Sequence, residues 1–198
     1  MPQTIKAVIF DLDGTLVQSP LDLGLIRRQL SLASNGLPLL ESIQALPTPE
    51  KDQATRILLE HERWACRESI LNWRAAETVL GLRKAGLKVA VLTRNCKASV
   101  MTVVRLHGLT VDLIIGREDG PIKPDPYGLL RICQEFGIGP AEAMMVGDHA
   151  IDMATARNAG VIPVLMSNHR SADGLACRAD VVVGELPELL DLVRIGRF

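Results

Sequence analysis

The segment Ile5-Lys6-Ala7-Val8-Ile9-Phe10-Asp11-Leu12-Asp13-Gly14-Thr15-Leu16 changes character abruptly at residue 11. Up to Phe10 it is a short apolar run rich in branched side chains, the pattern of a strand covered on both faces. From Asp11 onward it carries two acids, a glycine and a hydroxyl. Five further runs repeat the apolar half of this pattern, at 87–92, 113–115, 143–146, 161–165 and 181–183. Pro163 predicts that the fifth run is an edge or a short strand, because proline cannot donate to a ladder. Helical patterns fall between the runs, at 97–107, 125–136 and 151–159, with Gly160 as a stop, and a last one at 187–193 closes the chain. Strand alternating with helix at this spacing predicts an α/β fold, a doubly wound parallel sheet with crossover helices.

One interval breaks the alternation. Some 75 residues separate the first two strands and show no strand signal, far more than a helical crossover needs. Residues 19–73 are therefore expected to form a small helical cap inserted after the first strand. Residues 1–18 and 74–198 would form the core. Pro38, Pro47 and Pro49 punctuate the insertion, and helices are expected at 21–34, 39–45 and 50–71, with 74–85 returning the chain to the sheet.

Composition narrows the function classes. The 198 residues are 47% hydrophobic and 23% charged, an ordinary globular balance with room for little more than one domain. With 22 basic against 23 acidic side chains the net charge is −1, which argues against nucleic acid as a partner. Aromatics are only 3%, so the core must be aliphatic and stacking platforms are scarce. Cys66, Cys96, Cys133 and Cys177 form no CxxC pair and read as buried free thiols in a reducing compartment. No apolar stretch is long enough for a membrane span, and the first residues lack a secretory pattern. A cytoplasmic protein with no membrane partner is expected.

The polar residues gather where the strands end, which is where open parallel sheets bind ligands. The first strand ends in Asp11 and Asp13, the second in Thr93, Arg94 and Asn95. Lys123 follows the third, and Asp148 the fourth, with Asp152 four residues later. A spacing of two along a strand puts Asp11 and Asp13 on one side. Carboxylates so close resist ionising together, and a hard divalent cation, Mg²⁺ where phosphate is handled, removes the difficulty. Lys123 adds a positive charge and Thr93 a hydroxyl. Together the set suits a phosphoryl group, one carboxylate attacking phosphorus and another serving as acid and base. Asn95 could instead cap the helix that follows it, and His149 reads as a local hydrogen bonder. If one helix runs through Arg56, Arg63, Arg67 and Arg74, their spacings place them on one stripe, solvated or facing a second anionic group of the substrate.

Asp11-Leu12-Asp13-Gly14-Thr15-Leu16 resembles the first motif of the haloacid dehalogenase superfamily. Thr93 resembles its second, Lys123 its third and Gly147-Asp148-x-x-x-Asp152 its fourth, in the same order. The stretch from Lys123 to Gly160 is similar to the phosphoglycolate-phosphatase-like branch. The resemblance implies a Rossmann-like core and a phosphatase of a small phosphorylated metabolite. Asp11 would be the nucleophile and Asp13 the general acid and base. Thr93 and Lys123 would bind the phosphoryl group. From their position beside Thr93, Arg94 reads as a solvated side chain or a substrate contact, and Asn95 as a substrate contact if it does not cap the helix. Mg²⁺ would be held by Asp11, the backbone carbonyl of Asp13, Asp148 and Asp152. A phosphomutase on the same core, or a non-catalytic phosphoacceptor or binding protein, is the alternative. Asn72-Trp73-Arg74-Ala75 departs from the family's usual Pro-Gly entry, and the insertion is short for a full cap. The four motifs leave the leaving group and the oligomeric state open.

Overall fold

The computed structural model describes residues 4–33, 36–167 and 176–195. Six parallel strands form one sheet in the order β5-β4-β1-β6-β7-β8. They are β1 (Ala7–Phe10), β4 (Lys88–Leu92), β5 (Leu113–Ile115), β6 (Ala143–Gly147), β7 (Ile162–Met166) and β8 (Val181–Val183). The order reverses at β1, the strand from which the chain first winds one way and later the other. Such a switch point opens a crevice beyond the carboxyl ends of the strands.

Every residue of β1 is buried, and its side chains alternate between two cores. Val8 and Phe10 join Val89 and Val91 of β4 on one face. That face is covered by α4 (Ala75–Lys84), α5 (Lys97–Leu106) and α8 (Glu188–Ile195), through Leu82, Val103 and Leu189. Ala7 and Ile9 face the opposite way with Ala90 and Leu92. There α6 (Tyr127–Phe136) and α7 (Ala150–Ala159) supply Leu129, Ile132 and Ala156. Gly160 ends α7 with φ +71°, the left-handed conformation expected of a helix stop. Cys66, Cys96 and Cys133 are free and buried, and burial pushes the Cys66 thiol up to about 12.

Three expectations are corrected. Pro163 lies inside the sheet, between β6 and β8, not at an edge. Its carbonyl accepts from Asp180 N, so its nitrogen points to the β8 side just before the β8 ladder starts at Val164–Val181. No ladder bond is lost there. The long interval after β1 is not free of strands: β2 (Val17–Gln18) and β3 (Ile70–Leu71) pair antiparallel at its two ends. Two residues are too few to show a period. The first inserted helix is shorter than 21–34: α1 spans Leu23–Gln29, capped by Asp22, whose Oδ1 accepts from Leu25 N at 2.8 Å. Ser34 lies outside the described residues.

Between β2 and β3 come α1, α2 (Leu39–Gln44) and α3 (Thr48–Arg67). Ile26, Leu39, Ile43, Ala54 and Leu58 form an apolar cluster of their own, while Cys66, near the end of α3, belongs to the larger core cluster. Arg56, Arg63, Arg67 and Arg74 are exposed but do not share one helix: α3 ends at Arg67, and Arg74 is the N-cap of α4 beyond β3.

Candidate active site

Asp11 is the first residue beyond β1, and its N–H donates to Val146 O of β6 at 2.9 Å. The chain then turns tightly, with Gly14 at φ +83°. A Cβ on Gly14 would lie 2.2 Å from Asp148 Oδ2, so only glycine lets this turn approach that carboxylate. Asn72 is buried and pins the turn from outside, its Nδ2 donating to Gly14 O at 3.1 Å and Thr15 O at 2.7 Å.

Lys123 ties the site together. It is 3% exposed, and its Nζ donates to Asp11 Oδ1 at 2.7 Å and to Asp152 Oδ1 at 2.6 Å. Burial alone would lower the Lys123 pKa, but the charges of Asp11 and Asp152 outweigh it and hold the ammonium. Burial lifts Asp11 from 3.8 to about 6; Lys123 works against the shift and Asp152 adds to it. Asp152 sits at the start of α7, where its Oδ2 accepts from His149 N at 3.1 Å and so closes a capping box. His149 is the N-cap, its Nδ1 accepting from Ile151 N at 3.2 Å, the local hydrogen bonder expected.

Carboxylate oxygens of Asp11, Asp148 and Asp152 lie within 4.8 Å of one another. Three carboxylates make an all-oxygen donor set, which fits a hard divalent cation. The Asp13 carboxylate is not in this group. Its Oδ2 accepts from Asn95 Nδ2 at 2.5 Å. Burial raises its pKa, against a hydrogen bond from Ser19 and with a further push from the Asp11 charge. Asn95 is thus engaged with Asp13 and does not cap α5; Cys96 holds the N-cap position. Thr93, buried at the end of β4, accepts from Asn95 N through Oγ1 at 3.1 Å.

Asp11, Asp13, Thr93, Arg94, Asn95, Lys123, Asp148 and Asp152 all line one cavity of about 790 Å³, roofed by residues of the insertion. Arg94 reaches it with its guanidinium already held, Nη2 lying 2.6 Å from both carboxylate oxygens of Glu41 on α2. Glu62 of α3 also lines the cavity and pairs with Arg117. Burial raises the Glu62 pKa and Arg117 opposes the rise. Arg56, Arg63, Arg67 and Arg74 do not line the cavity. Ser19, Glu41, Glu62, Asn72 and Arg117 belong to no motif, and each meets its partner across a long stretch of sequence or from within a turn. No local pattern marks them.

A family model of haloacid dehalogenase-like hydrolases matches residues 5–160, most of the chain. The chain belongs to the haloacid dehalogenase-like hydrolases. This hydrolase is 34% identical to the uncharacterized hydrolase YOR131C of Saccharomyces cerevisiae, over 96% of this chain and 91% of that one. It is 31% identical to a phosphoglycolate phosphatase of Chromobacterium violaceum, over 97% and 98% of the two chains. It is 26% identical to the pyrophosphatase PpaX of Halalkalibacterium halodurans, over 96% and 98%. The crystal structure of a hydrolase from Pseudomonas syringae superposes with a TM-score of 0.78 at 23% identity, covering 98% of this chain and all of that one. That likeness is one of fold. The hydrolase is an enzyme with an α/β, Rossmann-like core, and no helix among its described residues is long and apolar enough to cross a membrane.

Proposed function

We propose that this phosphatase is a Mg²⁺-dependent phosphomonoester hydrolase that acts on a small phosphorylated metabolite through an aspartyl-phosphate at Asp11. The observation that carries the reading is Lys123 Nζ, within 2.7 Å of Asp11 and 2.6 Å of Asp152 in the wall of a cavity that Asp13 and Thr93 also line. Asp11, Asp148 and Asp152 would hold the cation, with Asp13 contributing its backbone carbonyl, as the family resemblance implies. When bound, Mg²⁺ would offset charge on the phosphoryl oxygens.

Asp11 attacks phosphorus through a carboxylate oxygen, and the bond from phosphorus to the leaving oxygen breaks. Asp13, whose raised pKa suits an acid, gives its proton to that oxygen. The Asp13 carboxylate then takes a proton from water. The water oxygen attacks phosphorus, the bond to Asp11 breaks, and inorganic phosphate leaves. Lys123 orients Asp11 and neutralises the transferring group. Thr93 accepts from Asn95 N, which leaves its hydroxyl proton for a phosphoryl oxygen. Asn95 positions Asp13 and faces substrate, and Arg94 forms the adjoining wall.

Residues 19–73 serve as the cap that excludes water and selects the leaving group, over a core of 1–18 and 74–198. Their separate apolar cluster supports this division. Three buried free thiols support a reducing, cytoplasmic setting. Phosphate release from a panel of phosphomonoesters, 2-phosphoglycolate included, with Mg²⁺ and with EDTA, tests the proposal. Turnover should require the metal and vanish in Asp11→Asn. Asp13→Asn should lose about 10²–10⁴-fold while still allowing Asp11 to be phosphorylated. Undiminished turnover in Asp11→Asn would overturn the assignment.

A further inference from the structure

The lining of the cavity divides into two unlike parts, one from the loops of the sheet and one from the insertion. The first holds the carboxylates, Thr93 and Lys123. The other consists chiefly of Leu21, Leu23, Leu37, Leu39, Leu40 and Leu58. The cavity's volume of about 790 Å³ is in the range that encloses a drug-sized ligand, well beyond the needs of a two-carbon leaving group.

Two arginines border this part. Arg94 lies 2.6 Å from both oxygens of Glu41, so its charge is already matched. Arg27 donates through Nη1 to Ala33 O at 2.7 Å, and through Nη2 to Leu37 O at 2.5 Å and Ser42 Oγ at 3.2 Å. It is engaged in tying α1 to the segment leading into α2. Glu62, the acid in the same wall, is matched by Arg117.

Resting on the phosphatase reading above, we propose that the leaving-group part of the cavity takes an uncharged, apolar group, and that Glu41 enforces the choice by neutralising Arg94. A carboxylate on the leaving group would lose its hydration against leucines, have to displace Glu41 from Arg94, or have to draw Arg27 off Ala33 O, Leu37 O and Ser42 Oγ. An alkyl chain gains roughly fourfold in binding for each methylene it buries. Glu41 is thus a specificity residue acting through Arg94. With the Glu41 charge removed, Arg94 becomes a cation open to an anionic group.

Hexyl phosphate and 5-carboxypentyl phosphate form a matched pair, equal in length and in leaving-oxygen chemistry. Their kcat/KM values are to be measured with Mg²⁺ in the wild type and in Glu41→Gln. The wild type should prefer hexyl phosphate by about tenfold or more, and Glu41→Gln should shrink that preference at least about fivefold by improving the carboxylate ester. The non-hydrolysable hexylphosphonate and 5-carboxypentylphosphonate, titrated calorimetrically with Mg²⁺, report on the cavity without turnover. Turnover of both esters with no preference, or an equal preference in the wild type and Glu41→Gln, overturns the inference and leaves the phosphatase reading standing. Absence of turnover together with tighter binding of hexylphosphonate overturns the phosphatase reading and supports the apolar cavity.

Discussion

Lys123 has two carboxylate partners within 2.7 Å and almost no access to water. Removing one partner of a buried ion pair costs far more than the pair itself contributes, because the other charge stays buried. Lys123→Met leaves Asp11 and Asp152 facing each other, and urea unfolding in EDTA at pH 7.5 should show a loss of about 3–5 kcal/mol. The loss should shrink towards pH 5, because Asp11, lifted to about 6, takes up a proton there. The same shift makes a second prediction. The folded, metal-free protein holds the Asp11 proton more tightly than the unfolded chain. Its stabilising contribution is complete below the ordinary value of 3.8 and is lost as pH rises through about 6. Asp11→Asn has no such dependence. Unfolding free energies in EDTA at pH 4.5 and pH 7.5 should therefore fall more steeply with pH in the wild type than in Asp11→Asn, by about 2 kcal/mol. Parallel pH profiles would show that Asp11 titrates at its ordinary value.

At the scale of elements, the turn that carries Asp11 and Asp13 is set by β1 from below and by the chain returning from the insertion. Asn72 N donates to Leu16 O at 2.9 Å, and its side chain holds Gly14 O and Thr15 O. Asn72→Ala strips the side-chain donor from two carbonyls inside the protein, which should cost about 1–3 kcal/mol in thermal or urea unfolding. It should also lower kcat more than it raises KM, because the turn carries Asp11 and Asp13 and is not itself the cap wall. An unchanged kcat would mean that the turn keeps its shape without Asn72. This fastening point was not legible in the sequence, although the strands on either side were. The six sheet strands announce themselves as apolar runs because both their faces are covered, and the acids beyond β1 and β6 stand out against that background. β2 and β3 have only two residues each and no period to read. Asn95 is adjacent to a helix start and fits a cap by its type, yet its amide goes to Asp13, 82 residues away in sequence. Local chemistry predicts what a side chain can do, and tertiary placement decides which of those things it does.

Across the whole molecule, two ion pairs join the insertion to the sheet's loops, Glu41 with Arg94 and Glu62 with Arg117. Both tie a helix of residues 19–73 to the loops around the cavity, over separations of more than 50 residues. They differ in burial. Glu41 and Arg94 keep 32% and 18% side-chain exposure, whereas Glu62 and Arg117 keep 2% and 13%. A pair with partial access to water adds less to stability than a fully buried one and acts mainly through the charge that it cancels. A buried pair is costly to break and cheap to replace whole. Glu62→Leu alone should therefore lower stability by about 3–5 kcal/mol, leaving Arg117 buried without its acid. Adding Arg117→Leu should restore most of that loss, because two leucines fill the gap without a charge to solvate. Turnover offers the second readout. If the pair acts only by filling space, the double variant recovers kcat along with stability. If it sets the position of α3 over the cavity, stability returns while kcat/KM stays at least about tenfold down, since apolar contact lacks the direction of an ion pair. We expect the second result, because α3 brings both Leu58 and Glu62 to the cavity wall. A double-mutant cycle read in urea unfolding and in phosphate release separates the two.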